Sequence, residues 1–135
     1  MKEYTYKNLI LKEYDSEVHL ILNNKKIGYA IFKNKKDFLH LDNLKIKEEF
    51  RNNNFGELLI CFLQLKNKPI LLEVLYPRVI NFYKRLQFEI DGDENSYRYD
   101  NKKISKEYLK KLNYYKVNIK ESNIISNDFS FGMSF

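Results

Sequence analysis

Few residues in this chain are of the types on which disulfides, nucleotide loops or zinc fingers depend. Its 135 residues include one cysteine, two prolines, four glycines and no tryptophan. Cys61 therefore has no partner for an internal disulfide, and so few glycines argue against a glycine-rich nucleotide loop. No apolar run is long enough to span a membrane, and the charged start Met1–Tyr4 is unlike a signal peptide. We expect a cytoplasmic protein with no membrane segment.

Residues that bind metals or act as nucleophiles are also sparse. His19 and His40 are isolated from other residues at the spacing of metal ligands, so neither is expected to hold a metal. Cys61 lies in an apolar run, which favours burial over catalysis. No Ser-His-Asp arrangement, P-loop or dinucleotide fingerprint is present. The sequence predicts no metal site.

Hydrophobic residues and lysines are abundant. The chain is 44% hydrophobic and 16% aromatic, which is sufficient for one packed core. A net charge of +6 favours polyanions such as nucleic acid or an acidic protein face. Because lysine pairs are scattered along the whole chain, general solvation of the surface is the simpler interpretation.

The stretch 39–65 reads as a strand, a polar loop and a helix. Apolar residues fall on odd positions up to Leu41 and on even positions from Leu44, so the strand alternation slips near Asp42-Asn43. A slip of this kind is typical of a β-bulge. The sequence therefore predicts a bulged strand here.

A buried helix is predicted to begin at about Phe55, because apolar residues are nearly continuous after Gly56. The loop 51–57 then presents backbone N–H groups at a helix N-terminus, where the dipole favours an anion such as a pyrophosphate. Gly56 lets a ligand approach the backbone, and Asn54 tolerates a left-handed conformation. By itself, such a loop is also compatible with a plain connection.

Two motifs resemble those of the GNAT superfamily of N-acetyltransferases. Residues 46–56, Ile-Lys-Glu-Glu-Phe-Arg-Asn-Asn-Asn-Phe-Gly, resemble its acetyl-CoA loop, whose pattern is Arg/Gln-x-x-Gly-x-Gly/Ala after a bulged strand. Residues 77–88 resemble its later helix and strand, usually Phe-Tyr-x-x-x-Gly-Phe, and a predicted strand at 69–75 separates the two motifs. Asn54 replaces the first loop glycine, and Gln87 replaces the glycine of the second motif.

The resemblance covers about 27–91 and implies an α/β (α+β) fold. The expected architecture is a mixed, mostly antiparallel sheet with a bulged central strand, flanked by helices. From the residues themselves, strands over Tyr4–Tyr14, Glu17–Leu22 and Ile27–Phe32 predict a β-meander. That meander leaves no room for the helical pair that most members of the superfamily place after the first strand.

Two units are expected, a GNAT-like core at 1–100 and a C-terminal extension at 101–135. Ser105 is a plausible N-cap for a helix from Lys106 to about Leu112, followed by a strand over Tyr115–Ile119. The apolar tail Asn123–Phe135 is expected to pack on the core or on a second subunit, which would make a homodimer.

The resemblance implies acetyl-CoA as co-substrate. Backbone groups of the splayed strand would pair with the pantetheine arm, and the loop would hold the pyrophosphate. Tyr76 is a weaker cofactor contact. The strand residues are Leu44, Lys45 and Ile46, and the loop residues are Arg51, Asn52, Asn53, Asn54, Phe55, Gly56 and Glu57.

Two catalytic residues are expected. Tyr83 occupies the position of the superfamily's usual general acid, which protonates the departing thiolate. An ammonium group must lose a proton before it attacks, and Glu73 is the candidate base, with Asp42 as the alternative. From the residues alone, Tyr83 could be core filler and Glu73 could simply face solvent at a sheet edge.

Three functions follow as alternatives. The first is acetyl transfer to a primary amine whose identity the sequence does not specify. The second is a degenerate GNAT domain that binds acyl-CoA or a protein partner without turnover. The third is a basic, tyrosine-rich module that binds nucleic acid.

Overall fold

The computed structural model describes residues 1–122, in which nine strands form one sheet accompanied by three α-helices. The strands are β1 Lys2–Tyr6, β2 Leu9–Glu13, β3 Glu17–Leu22, β4 Lys25–Asn34, β5 Leu39–Ile46, β6 Ile70–Glu73, β7 Phe88–Asp91, β8 Asp93–Tyr99 and β9 Lys120–Glu121. The helices are α1 Phe55–Gln64, α2 Ile80–Arg85 and α3 Lys106–Asn118, with 3-10 turns at Glu48–Phe50 and Pro77–Val79. The spatial order is β7-β8-β6-β5-β4-β3-β2-β1-β9.

The chain opens with the predicted β-meander, which is built from five strands. The single strand expected over Tyr4–Tyr14 is wrong, because Lys7 adopts a left-handed φ of 56° and turns the chain between β1 and β2. Asn23 and Asn24 have φ values of 51° and 65°, the double left-handed conformation that suits a tight hairpin between β3 and β4. No helix lies between the strands of the meander.

The predicted bulge in the central strand is confirmed at Asp42. Ile31 of β4 pairs with Asn43, whereas the next residue, Phe32, pairs with Leu41, so Asp42 is the extra residue of β5. At the other end of the same pair, Gly28 lies opposite the end of β5. A Cβ on Gly28 would approach the carbonyl oxygen of Lys45 to 2.9 Å, so only glycine fits there.

Strands β5 and β6 are the only parallel neighbours among the described strands, and they separate after three pairs. Leu39, His40 and Leu41 pair with Ile70, Leu71 and Leu72, respectively. Beyond Leu41 strand β5 continues to pair with β4, while Glu73 of β6 pairs with Ser96 of β8. The separation leaves one edge of β5 without a strand partner from Asp42 to Ile46.

The three helices pack together over one face of the sheet. Gln64 of α1 donates a hydrogen bond to the carbonyl oxygen of Leu86 at the end of α2 (2.8 Å) and accepts one from the hydroxyl of Tyr108 in α3 (2.6 Å). The core fills the space between these helices and the sheet. Alternate residues of β3 to β5, including His19, Tyr29 and His40, lie on the other face and are half-buried. No element of residues 1–122 covers that face.

The C-terminal extension begins as predicted and then differs. Ser105 caps α3, its Oγ accepting a hydrogen bond from the backbone N–H of Tyr108 at 3.1 Å. The strand expected over Tyr115–Ile119 is wrong, because α3 continues to Asn118 and buries Tyr115 at helical spacing from Tyr108. The apolar tail on which the predicted dimer depends lies outside the described residues.

Candidate active site

A cleft of about 680 Å³ opens where β5 and β6 separate. Its walls are the free edge of β5, the loop and first turn of α1, and the segment from Tyr76 through α2. The residues that line it are Asn43, Leu44, Lys45, Ile46, Phe50, Arg51, Asn52, Asn54, Phe55, Gly56, Glu57, Tyr76, Arg78, Val79, Phe82, Tyr83, Arg85 and Leu86. All cofactor-binding residues predicted from the sequence except Asn53 are among them.

The loop before α1 is held in shape by its own side chains. Asn52 and Asn54 adopt left-handed φ values of 66° and 63°, and Asn54 is the N-cap of α1. Asn53 turns its amide inward, donating hydrogen bonds of 3.2 Å to the carbonyl oxygens of Phe50 and Arg51. Asn54 therefore has the kind of backbone conformation for which glycine is usual.

Arg51 ties the loop back to the strand. Its Nε donates a hydrogen bond to the carbonyl oxygen of Ile46 at 3.1 Å. This contact links the loop to the last residue of β5. Arg51 also lines the cleft. The expected contact of Arg51 with an anion is compatible with this arrangement, because a guanidinium carries further donors.

The first turn of α1 packs closely against α2. A Cβ on Gly56 would lie 3.2 Å from the ring of Phe82, so glycine allows this approach. Next to it, the Glu57 carboxylate accepts hydrogen bonds from Lys111 Nζ (3.0 Å) and from the Tyr115 hydroxyl (2.7 Å). Lys111 of α3 thus balances the negative charge of Glu57, the one acidic side chain among the described residues that line the cleft.

The other charged residues that line the cleft are all cationic. Lys45, Arg51, Arg78 and Arg85 line it. The last two were not singled out from the sequence. Their spacing of seven residues, two helical turns, is the signal that could have found them. Together with the N-terminus of α1, these side chains make the cleft suitable for phosphate groups.

Tyr83 presents a buried hydroxyl to the cleft. Its side chain is 9% exposed, and its ring centroid lies 5.0 Å from that of Phe82 and 5.4 Å from that of Phe88. Burial raises the pKa of the Tyr83 hydroxyl to about 12. The hydroxyl makes no hydrogen bond to any other residue of 1–122. A neutral phenol without a protein partner is a ready proton donor for a ligand in the cleft.

The two candidate bases lie where the strands separate. Glu73 is exposed and does not line the cleft. Asp42 accepts a hydrogen bond of 2.7 Å from His40 and forms an ion pair of 3.3 Å with Lys33. Burial of Asp42 acts to raise its pKa, but these hydrogen bonds and charges outweigh burial and hold the pKa below its usual range. A carboxylate stabilised in this way is a poor proton acceptor.

Residues 1–122 contain no group of three or more metal-ligating side chains that could hold an ion. In the same residues, no helix has the length and apolarity needed to cross a membrane.

The fold is that of the GNAT N-acetyltransferases. PaiA N-acetyltransferase from Thermoplasma acidophilum, solved in complex with coenzyme A, matches with a TM-score of 0.55 at 17% identity, over 62% of this chain and 59% of PaiA. This chain therefore spans less than two thirds of that protein. Naa50 from Arabidopsis thaliana, solved with the bisubstrate analogue CoA-Ac-MVNAL, matches with a TM-score of 0.54 at 16% identity, over 62% of this chain and 70% of Naa50.

A third similar structure is the Bacillus subtilis N-acetyltransferase YlbP, solved in complex with coenzyme A. Its TM-score is 0.56 at 15% identity, over 64% of this chain and 68% of YlbP. No family model and no curated protein matches the sequence. The likeness is therefore one of structure, and it establishes the fold.

Proposed function

We propose that this protein is an acetyl-CoA-dependent N-acetyltransferase that acts on a primary amine. The observation that carries the proposal is the buried hydroxyl of Tyr83, which has no partner in the described chain and faces a cleft suited to phosphates. Three proteins of the same fold were solved with coenzyme A or a coenzyme A analogue, which supports the same ligand here.

The cleft has groups suited to the pantetheine arm and to the phosphates of coenzyme A. The free edge of β5 at Leu44 to Ile46 offers backbone donors and acceptors for the amides of the pantetheine arm, as an added strand would use them. The backbone N–H groups at the start of α1 suit the pyrophosphate. Arg78 and Arg85 supply positive charge for the remaining phosphate.

Bound acetyl-CoA would supply an activated acetyl group on a thioester. Tyr83 would donate its proton to the sulfur that leaves, because its phenol stays neutral at physiological pH. The amine would approach from the uncovered sheet face, on which Asp42 and Glu73 flank the separation of the strands. Because no described element closes that face, a large acceptor such as a protein amine is sterically acceptable.

A thermal-shift titration tests the proposal. We expect acetyl-CoA and coenzyme A to raise Tm and ATP to leave it nearly unchanged, since a ligand at a hundred times its Kd stabilises by about 2.7 kcal/mol. Formation of free thiol from acetyl-CoA with amines then measures turnover. Binding without turnover would favour the degenerate domain, and no binding at all would overturn the proposal. Binding to nucleic acid that weakens steeply with salt would favour the third alternative.

A further inference from the structure

A histidine and an aspartate form a hydrogen-bonded pair at the point where β5 and β6 separate. His40 Nδ1 lies 2.7 Å from Asp42 Oδ1, and both side chains are about one third exposed, at 33% and 29%. In a strand, residues two apart share a face. Because Leu39 and Leu41 are buried in the core, His40 and Asp42 lie on the uncovered face.

The strand pairing places this pair beside the cleft. His40 is opposite Leu71, one residue before the last pair between the two strands, and Asp42 is the bulged residue at which the cleft begins. Asn43, the next residue, lines the cleft, whereas His40, Asp42 and Glu73 all lie beside it and not in its lining. The pair therefore lies on the side from which an amine would reach the thioester, opposite the helices.

The hydrogen bond to Asp42 determines which ring nitrogen of a neutral His40 carries the proton. Asp42 is an ionised carboxylate that can only accept, so the neutral imidazole carries its proton on Nδ1 and donates it to Asp42. The lone pair of Nε2 is then free, and Nε2 makes no hydrogen bond within residues 1–122. Lys33, across β4, contacts the other Asp42 oxygen at 3.3 Å and holds the carboxylate in place.

We propose that His40 Nε2 is the group that removes the proton from the acceptor amine, and that Asp42 is its positioning residue. This inference rests on the proposed function and replaces Glu73 as the base. The Glu73 side chain is exposed and forms no hydrogen bond or ion pair to a residue of 1–122. An imidazole is also a stronger base than a carboxylate, by about two units of reference pKa.

The proton balance of the transfer is complete with these groups. His40 takes one proton from the ammonium and releases it to solvent. The freed nitrogen forms a bond to the acetyl carbon, and the carbon–sulfur bond breaks. The sulfur receives a proton from Tyr83, which is restored by the second proton lost from the nitrogen. The products are an amide, the free thiol of coenzyme A and one released proton.

Two amines that differ in protonation test the proposal. Ethylamine is protonated at neutral pH, whereas 2,2,2-trifluoroethylamine is largely neutral there because its fluorines withdraw electrons. We expect His40→Gln to lower turnover of ethylamine by about 10²–10⁴-fold and to leave turnover of trifluoroethylamine within a small factor of the wild type. Asp42→Asn should give an intermediate loss with the same selectivity, because it removes only the orientation of the ring.

His19 supplies a matched control. It forms the same kind of pair with Glu17, at 2.8 Å and two residues away on the same face, but in β3, which is separated from the cleft by β4. His19→Gln should leave the turnover of both amines unchanged. In His40→Gln alone, the loss of kcat/KM with ethylamine should shrink as the pH is raised, because more of the amine is then already neutral. By strand register, the charged groups nearest His40 on that face are Asp42 on its own strand, Lys33 on β4, Glu73 two residues beyond Leu71 on β6 and, across Leu71, Arg98 on β8.

The outcomes separate the two proposals. Full ethylamine turnover by His40→Gln, or equal losses with both amines, would overturn the role of His40 and leave acetyl transfer intact. If Glu73→Gln showed the selective loss instead, the base would be Glu73. If the wild type bound acetyl-CoA in the thermal-shift assay but acetylated neither these two amines nor a peptide α-amine, the proposed transferase activity would be refuted, and the role of His40 with it.

Discussion

The carboxylate of Glu57 accepts a hydrogen bond of 2.7 Å from the hydroxyl of Tyr115, which joins the first turn of α1 to α3 across 58 residues of sequence. Lys111 donates to the other carboxylate oxygen at 3.0 Å. Helix α3 lies outside the sequence motifs that resemble those of the acetyltransferases, yet it holds a side chain of the cleft wall. We infer that α3 sets the position and charge balance of the loop end of the cleft.

Tyr115→Phe should therefore lower the free energy of unfolding by about 1–2 kcal/mol, since it removes a hydrogen bond to a charged, partly buried group. Urea denaturation measures the change. Tyr114→Phe is the control, because Tyr114 is 48% exposed and its hydroxyl is 3.5 Å from that of Tyr6. Equal losses in the two variants would show that the Glu57 contact contributes no more than a surface hydroxyl.

Tyr83→Phe should lower acetyl transfer by a factor on the order of 10²–10⁴ and leave coenzyme A binding intact, because only the proton donor is lost. Steady-state kinetics and the thermal shift measure the two effects separately. Since the hydroxyl has no partner in residues 1–122, its removal should not destabilise the fold. Full activity in this variant would remove Tyr83 from the mechanism.

Sequence patterns within a few neighbouring residues were sufficient to predict the bulge, the loop before α1 and the start of α3. The change of alternation at Asp42 identified the bulge, the asparagine at 54 was compatible with a left-handed loop, and Ser105 marked the start of α3. The turn at Lys7 and Asn8 was missed because strand propensity on both sides outweighed the single turn-forming residue, Asn8.

Contacts between distant residues could not be predicted in this way. The end of α3 was missed although Tyr108, Leu112 and Tyr115 repeat at helical spacing, because the alternation over 115–119 is also compatible with a strand and only packing decides between the two. The pairing of Glu57 with α3 is of the same kind. The contact between His40 and Asp42 could have been predicted from the sequence, since residues two apart in a strand share a face. Its position beside the cleft could not, because that depends on where β5 and β6 separate.

Asn54 provides a test of the loop. Asn54→Gly should keep or improve coenzyme A binding, because glycine adopts the observed φ of 63° freely. Asn54→Ala should weaken binding and stability, since a left-handed conformation costs an ordinary residue about 1–2 kcal/mol. Calorimetric titration with coenzyme A measures both variants. Indistinguishable affinities would show that the loop adapts its backbone and that residue 54 has no conformational role.

Stability should fall steeply in alkaline solution. Burial raises the pKa of Tyr83 and of Tyr99 to about 12, and it also raises the pKa of Tyr108 and Tyr115. These phenols hold their protons more tightly in the folded than in the unfolded chain. Their contribution is therefore fully present below about pH 10, the pKa of an unfolded tyrosine, and is lost as the pH rises toward 12.

Thermal unfolding followed by circular dichroism at several pH values measures this dependence. We expect the decline of Tm above about pH 10 to be shallower in Tyr83→Phe than in the wild type, because one of the titrating phenols is gone. The spectrum of tyrosinate in the folded protein should develop late, since the buried phenols ionise after the exposed ones. A Tm that stays constant up to about pH 12 would contradict the assignment.

The arginines of the cleft wall should determine the salt dependence of coenzyme A binding. Arg78 and Arg85 line the cleft, whereas Lys84, next to Arg85 on α2, does not. Arg85→Ala should raise the Kd for coenzyme A by about tenfold at low salt, the equivalent of about 1.4 kcal/mol, because it removes a charged hydrogen-bond donor from a phosphate. Lys84→Ala removes the same formal charge outside the cleft and should have almost no effect.

The salt dependence of coenzyme A binding distinguishes a direct contact between Arg85 and a phosphate from long-range attraction by the whole basic surface. If Arg85 contacts a phosphate, the difference between Arg85→Ala and Lys84→Ala should persist at physiological salt, because a direct pair is screened less than charges farther apart. If the whole basic surface attracts the ligand, both variants should lose the same small amount of affinity, and that loss should disappear as salt is added. Equal effects would assign recognition to the net charge of +6 and not to the cleft wall.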